Sequence, residues 1–457
     1  MKPKVAIGIG LATVLWVGFV LPAGCPTTPT PTPGGTGNSG VTGQFVGADT
    51  CALCHKNVHD NWAKTLHAGA LDSLENIDEG TNPDCLLCHA LGFGLDGGYV
   101  DRATTNALAG IQCESCHGPG RAHVENVADQ SLRPPVSISA DICAQCHNPF
   151  HHALYGEWKK SAHARVTPTV AEELVAGQVA SSCGLCHSGD VRQAVLVEDQ
   201  TVPDNFLEGK STSQLNAVVC VTCHDPHQRT NKAFLPPTGH DFQLRYAEVV
   251  PFPTASNSIA ANTNPDRFNL CGQCHHARDR TWQATTRGPH PSVQSNFYVG
   301  EMPVPDGTAA LLPNQRTVHA FVPRQCVTCH MPREEESGEA SAVHANHRFT
   351  VEGYAGCVAT GCHPSAASAE ADKRQLQRAI QHGLDDIAAR LGPVSEWQYS
   401  SEGGPPEDEQ AALPDEIKQV RFLYAYIESD SSLGVHNPEY ARAILARAGE
   451  LLTSIGR

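Results

Sequence analysis

The chain has 457 residues, a formal net charge of −16, 32 prolines, 40 glycines and only 6% aromatic residues. The acidic balance excludes a nucleic-acid-binding role, which needs a basic footprint. It also carries 19 cysteines and 24 histidines, too many for a plain cytosolic enzyme, and its thin aromatic content implies that side chains alone do not fill the interior.

Lys2 and Lys4 precede an apolar run from Val5 to Leu21, followed by Pro22-Ala23-Gly24-Cys25. This order reads as an export signal over residues 1–24. Leu-Pro-Ala-Gly-Cys resembles a lipobox, which makes Cys25 the expected lipid-bearing residue. The apolar run is close to the length that spans a bilayer, so an uncleaved membrane anchor is the alternative. Residues 25–43 are Pro/Thr-rich and then Gly/Ser-rich. They bury no core and read as a tether. The protein is therefore expected outside the cytoplasm, in the periplasm or at the cell surface, attached to a membrane.

From residue 51 onward one motif recurs. Cys-x-x-Cys-His occurs at Cys51/Cys54/His55, Cys85/Cys88/His89, Cys113/Cys116/His117 and Cys143/Cys146/His147. It recurs at Cys183/Cys186/His187, Cys220/Cys223/His224, Cys271/Cys274/His275 and Cys326/Cys329/His330. A ninth copy, Cys357/Cys362/His363, has four residues between its cysteines. This is the attachment signature of c-type haem. The two thiols add to the two vinyl groups of one porphyrin, and the following His becomes the proximal iron ligand. A single copy would leave zinc, redox-thiol or disulfide readings open. Eight regular copies and a ninth variant do not. The nine motifs use every cysteine except Cys25, so nine covalently attached haems are expected. At that density the haems themselves form much of the core, and the chain between them should be irregular.

The sixth iron ligands must come from the other histidines. Methionine is nearly excluded, because beyond the signal only Met302 and Met331 remain, and Met331 adjoins a proximal His. His67 and His163 each follow a Trp by five residues, in NWAKTLH and EWKKSAH. The other candidates are His123, His151 (or His152), His227, His290, His319, His347 (with His344 as rival) and His436. His59, His240, His276 and His382 are weaker candidates. Two three-haem units are read over 51–142 and 143–240, and a looser third over 271–363. Residues 240–265 read as a connecting loop, and the acidic run at 333–339 as a solvated loop. The haem region as a whole spans 44–365.

The tail, 366–457, changes character. Leu376, Ile380, Leu384, Ile387 and Leu391 recur at helical spacing, as do Ile417, Val420, Tyr424 and Ile427. Tyr440, Ile444, Leu451 and Ile455 mark a third helix, with Asn437 as N-cap and Pro438 at its first position. These stripes predict a helical bundle packed on the haem region.

The segments CHGPGRAH, RGPHPSVQ, QCVTCHMP and GVHNPEYARAIL resemble the multihaem cytochrome c families related to hydroxylamine oxidoreductase, pentahaem nitrite reductase and the tetrahaem cytochrome of nitrification. The resemblance covers about 51–457. It implies a mainly α chain with much irregular structure, wrapped on stacked haems, a C-terminal helical bundle, mostly bis-His haems, and ligation by His436. Such nitrite reductases carry a Lys in place of one motif His, and none of the nine motifs here does.

The first functional reading is therefore an electron carrier with closely spaced haems, no catalytic residues of its own, and a redox protein or membrane electron-transfer complex as partner. The alternatives are an oxidoreductase acting on a small nitrogen or sulfur compound at one five-coordinate haem, and an oligomeric cytochrome filament.

Overall fold

The computed structural model describes residues 45–147, 153–229, 242–245, 270–278, 280–305, 307–322, 325–335, 343–359 and 361–457. The calls on the export signal, Cys25, the tether, His151, His152 and His240, with most of the 240–265 loop, lie outside these residues.

The chain is mainly helical. From residue 45 to 359 the α-helices are only four to eight residues long and are separated by turns. Such helices are too short to be stable by themselves. Many hold a haem motif, as in Pro83–His89, Cys113–His117 and Ala180–His187. Two small hydrophobic clusters lie wholly within this region, one around Leu71, Leu91 and Tyr99, the other around Leu174, Val191 and Leu207.

The tail behaves differently. Three long helices, Ala366–Leu391, Asp415–Asp430 and Pro438–Ser454, enclose the main hydrophobic core. Ile380, Leu384, Ile387, Val420, Ile427, Tyr440 and Ile444 are buried there, and Leu376 and Tyr424 pack at its edge. Ser365 caps the first helix by accepting a hydrogen bond from the Ser368 amide. Asn437 caps the third by accepting from the Tyr440 amide, with Pro438 in the first turn. Gly383 lies under Leu445, so close that an added Cβ would come within 2.5 Å of its Cδ1.

The same core reaches into the haem region through Ala277, Trp282, Val293, Phe297 and Met302. Buried Arg421 fastens the two parts together. Its guanidinium stacks 4.1 Å from the Tyr399 ring centre and donates to the carbonyls of Trp397, Gln398 and Ala284, each at 3.1 Å. The start of the acidic run forms a strand, contrary to the loop reading. The backbone of Arg333–Glu335 pairs antiparallel with Val343–Ala345. Among the described residues no helix is long and apolar enough to cross a membrane.

Candidate haem site

A continuous cavity of ≈ 3340 Å³ runs through the region between the short helices. Protein interiors pack with few voids larger than a water molecule, so side chains alone do not account for this space. Its walls carry the motif residues. Every motif cysteine lines it except Cys85 and Cys183, and so does each of the nine motif histidines. His67, His123, His163, His227, His290, His319, His347 and His436 line it too, with His59. Two weaker candidates do not. His276 is buried 2% exposed and its Nδ1 accepts from the Arg278 amide at 3.2 Å. His382 lies on the solvent side of its bundle helix. Met302 is in the bundle core.

The histidines face each other in pairs. His67 faces His147, His117 faces His227, and His224 faces His347, each with ring centres 6.2 Å apart. His163 and His275 are 6.1 Å apart, His187 and His290 6.1 Å, and His330 and His436 6.0 Å. Each pair joins one motif His to one His outside the motifs. Two imidazoles bound at about 2 Å to one metal between them have ring centres roughly 6 Å apart. The pairs therefore fit a haem iron in the gap. A zinc site would need three or four ligands converging, and no such group of His, Cys, Asp or Glu occurs among the described residues. For His55, His89 and His363, the described residues place no second imidazole at this spacing.

The two Trp–His segments are built alike. Trp62 Nε1 donates to the Ile111 carbonyl at 3.1 Å, and Trp158 Nε1 to the Val218 carbonyl at 2.8 Å. The carbonyls of His67 and His163 accept from the amides of those same residues, Ile111 and Val218. Thus each Trp pins its following His onto the segment just before the third motif of its unit, at Cys113 or Cys220. The matching roles extend to the ligand pairs. His67 meets the first motif of the second unit, and His163 meets the first motif of the third.

The ring nitrogens away from the gap are held as well. His117 Nδ1 donates to the Pro135 carbonyl at 2.9 Å, His224 to Phe242 at 2.7 Å, His330 to Phe349 at 3.1 Å and His347 to Ala345 at 2.6 Å. Such a bond fixes the tautomer and leaves Nε2 free for a metal. Burial holds the His224 and His330 imidazoles below their ordinary range. It depresses His163 and His290 to about 4, the cationic Arg278 adding to the effect on His290. A neutral imidazole is the form that ligates.

Neighbouring motifs touch through their thiols. Cys51 meets Cys113, Cys88 meets Cys146, and Cys143 meets Cys220. Cys186 meets Cys274, and Cys271 meets Cys326. Cys116 lies within electrostatic range of Cys143, Cys223 of Cys274, and Cys329 of Cys357. Together these contacts order the motifs as a run: Cys51, Cys113, Cys143, Cys220, Cys271, Cys326, Cys357. The motif at Cys85 sits beside that at Cys143, and the one at Cys183 beside that at Cys271.

Several supporting residues escaped the sequence reading. Buried Glu157 accepts from the His347 amide at 2.8 Å, and buried Glu114 accepts from the amides of Gly47 and Gly120 at 2.9 and 2.7 Å. Phe349 stands edge-on to His163, with ring centres 4.5 Å apart. Their only signal was adjacency to a motif or to a paired His.

Thiol pairs, trailing imidazoles and paired histidines around one cavity define a multihaem c-type cytochrome. By sequence, part of the chain resembles cytochromes of the c554 type. Residues 50–118 match the family described as "Cytochrome c554 and c-prime". Cytochrome c-554 of Nitrosomonas europaea is 39% identical over 92 residues, which is 17% of this chain and 39% of that protein. The chain thus spans well under two thirds of that curated relative. Two solved structures share the fold. The outer cell wall cytochrome OcwA has a TM-score of 0.57 at 20% identity, covering 89% of this chain and 99% of its own. The undecaheme cytochrome from the S-layer of Carboxydothermus ferrireducens has a TM-score of 0.57 at 18% identity, covering 92% of this chain and 70% of its own.

Proposed function

We propose that this chain is an exported electron-transfer protein with nine c-type haems, attached at the eighteen motif cysteines and ligated by the nine motif histidines. The observation that carries the reading is the set of six histidine pairs at 6.0–6.2 Å. Each pair would hold one haem iron between two imidazoles, which favours electron passage over substrate binding. Bound haem supplies a reversible one-electron centre. The chain's part is to hold these centres in order, exclude water, and fix each imidazole from behind. The adjacent thiols bring neighbouring centres together along the run from Cys51 to Cys357. Electrons enter at one end and leave at the other, to a redox protein or membrane complex. The two structural relatives are a cell-wall and an S-layer cytochrome, which supports export, and Cys25 is the proposed lipid attachment point.

A second reading has a specific basis. His55, His89 and His363 have no second imidazole at ligating distance among the described residues. A haem at one of these would offer an open position to a small nitrogen or sulfur compound. Haem quantification with low-temperature electron paramagnetic resonance tests both readings. Nine haems per chain with low-spin signals throughout support the carrier. A high-spin haem that responds to nitrite or hydroxylamine favours the enzyme. Fewer than six low-spin haems overturns the pairing itself.

A further inference from the structure

The pair His330–His436 differs from the other five in what stands behind it. His436 Nδ1 lies 2.7 Å from Asp430 Oδ1. The Asp430 side chain is 0% exposed, against 22% for His436. Ser432 Oγ donates to the other carboxylate oxygen, so the acid is held in one rotamer. Behind His330, by contrast, is a neutral carbonyl, that of Phe349.

Carboxylates near the other motif or paired histidines are placed differently. Asp225 Oδ1 is 3.7 Å from His227 Nδ1, beyond hydrogen-bonding range, and the same carboxylate is paired with Arg245 at 3.0 Å. Asp372 lies 3.3 Å from His363 Nδ1 but its side chain is 61% exposed, where water screens it. Only the Asp430 contact combines short range and full burial among the described ligand pairs.

We infer that Asp430 sets the potential of the haem at Cys326/Cys329, holding it the lowest of the six paired haems. A carboxylate accepting the Nδ1–H bond makes the imidazole a stronger donor to the metal. Stronger donation stabilises the oxidised iron and lowers the reduction potential, and hydrogen bonding around the ligand is one of the protein's levers on that potential. Ser432 moderates the effect by drawing charge from the same carboxylate. This haem lies next to the end of the run, between the motifs at Cys271 and Cys357. Asp430 thus places a step near that end, and it acts as a positioning residue, through His436.

The inference rests on the reading that His330 and His436 share one haem, and the test separates the two. Potentials are resolved by spectroelectrochemistry, with electron paramagnetic resonance to follow each low-spin signal. His436→Met identifies the component, because a Met ligand raises its potential and removes its bis-His signal. In Asp430→Asn that same component, the lowest in the unaltered protein, shifts upward. In Ser432→Ala it shifts downward, since the carboxylate regains charge. A purely structural role for Asp430 would not give opposite signs. Should Asp430→Asn fail to assemble haem, Ser432→Ala decides alone. No shift in that component, or a shift in a different one, overturns the inference while leaving the ligation reading intact. A His436→Met spectrum identical to the unaltered protein overturns both.

Discussion

On the proposed ligation, an imidazole that meets iron in a cavity needs its direction set beforehand. His163 shows how this chain does it. Its carbonyl is bound by the Val218 amide, and Phe349 stands edge-on at 4.5 Å. The facing His275 donates from Nδ1 to Gln294 Oε1 at 3.2 Å. Replacing His163 with Gly should turn one low-spin haem high-spin, and added imidazole should restore it. His67→Gly should do the same to a different haem. The loss would be read as one haem's worth of low-spin intensity; an unchanged spectrum in either variant sinks that pair. A milder change is expected for Gln294→Leu, which leaves the His275 Nδ1–H without its acceptor at a cost of about 1–3 kcal/mol. Thermal melting should fall while haem content stays whole. The sequence made the motif histidines plain, since their place directly after the second cysteine is fixed by haem attachment. It did not make the pairings plain. His163 and His275, or His224 and His347, belong to distant segments, and only the fold brings them together. The supports behind the rings are mostly backbone carbonyls, which leave no trace in residue type.

Elements divide sharply into two kinds. The bundle helices were legible because their apolar residues recur with the period of an α-helix, and because Asn437-Pro438 marks a start. Their stability comes from that packing, so it should be lost by the usual routes. Leu384→Ala should cost about 2–5 kcal/mol as a core truncation. Gly383→Val should cost about 1–3 kcal/mol, because its Cβ would collide with Leu445. Both should lower the melting temperature by circular dichroism, and a melt indistinguishable from the parent's would contradict the packing described here. The His330–His436 pair is expected to loosen in both, since the Pro438–Ser454 helix carries His436. The short helices of the haem region gave no such period. At four to eight residues they show barely two turns, and their inner faces meet the cavity rather than side chains. Three charged residues in sequence suggest solvent, so residues 333–335 read as loop. Their backbone pairs regardless, since a strand ladder uses amides and carbonyls rather than side chains.

At the scale of the whole molecule, the net charge of −16 bears on the proposed redox partner. An acidic surface favours a basic docking patch and steers it at long range. Electron-transfer rates to such a partner should fall steeply as ionic strength rises, because the Debye length shrinks to about 8 Å at physiological salt. A rate that stays flat across salt would set charge steering aside. The order of motifs has a consequence of another sort. The motif at Cys143 has neighbours on three sides, through Cys116, Cys88 and Cys220, by way of Cys143 or its companion Cys146. The motif at Cys271 has the same, through Cys326, Cys186 and Cys223. The through route is thus provided with two sidings. On the proposed carrier reading, an electron held on a siding would leave the main line open, so the molecule would buffer an irregular supply as well as conduct a steady one.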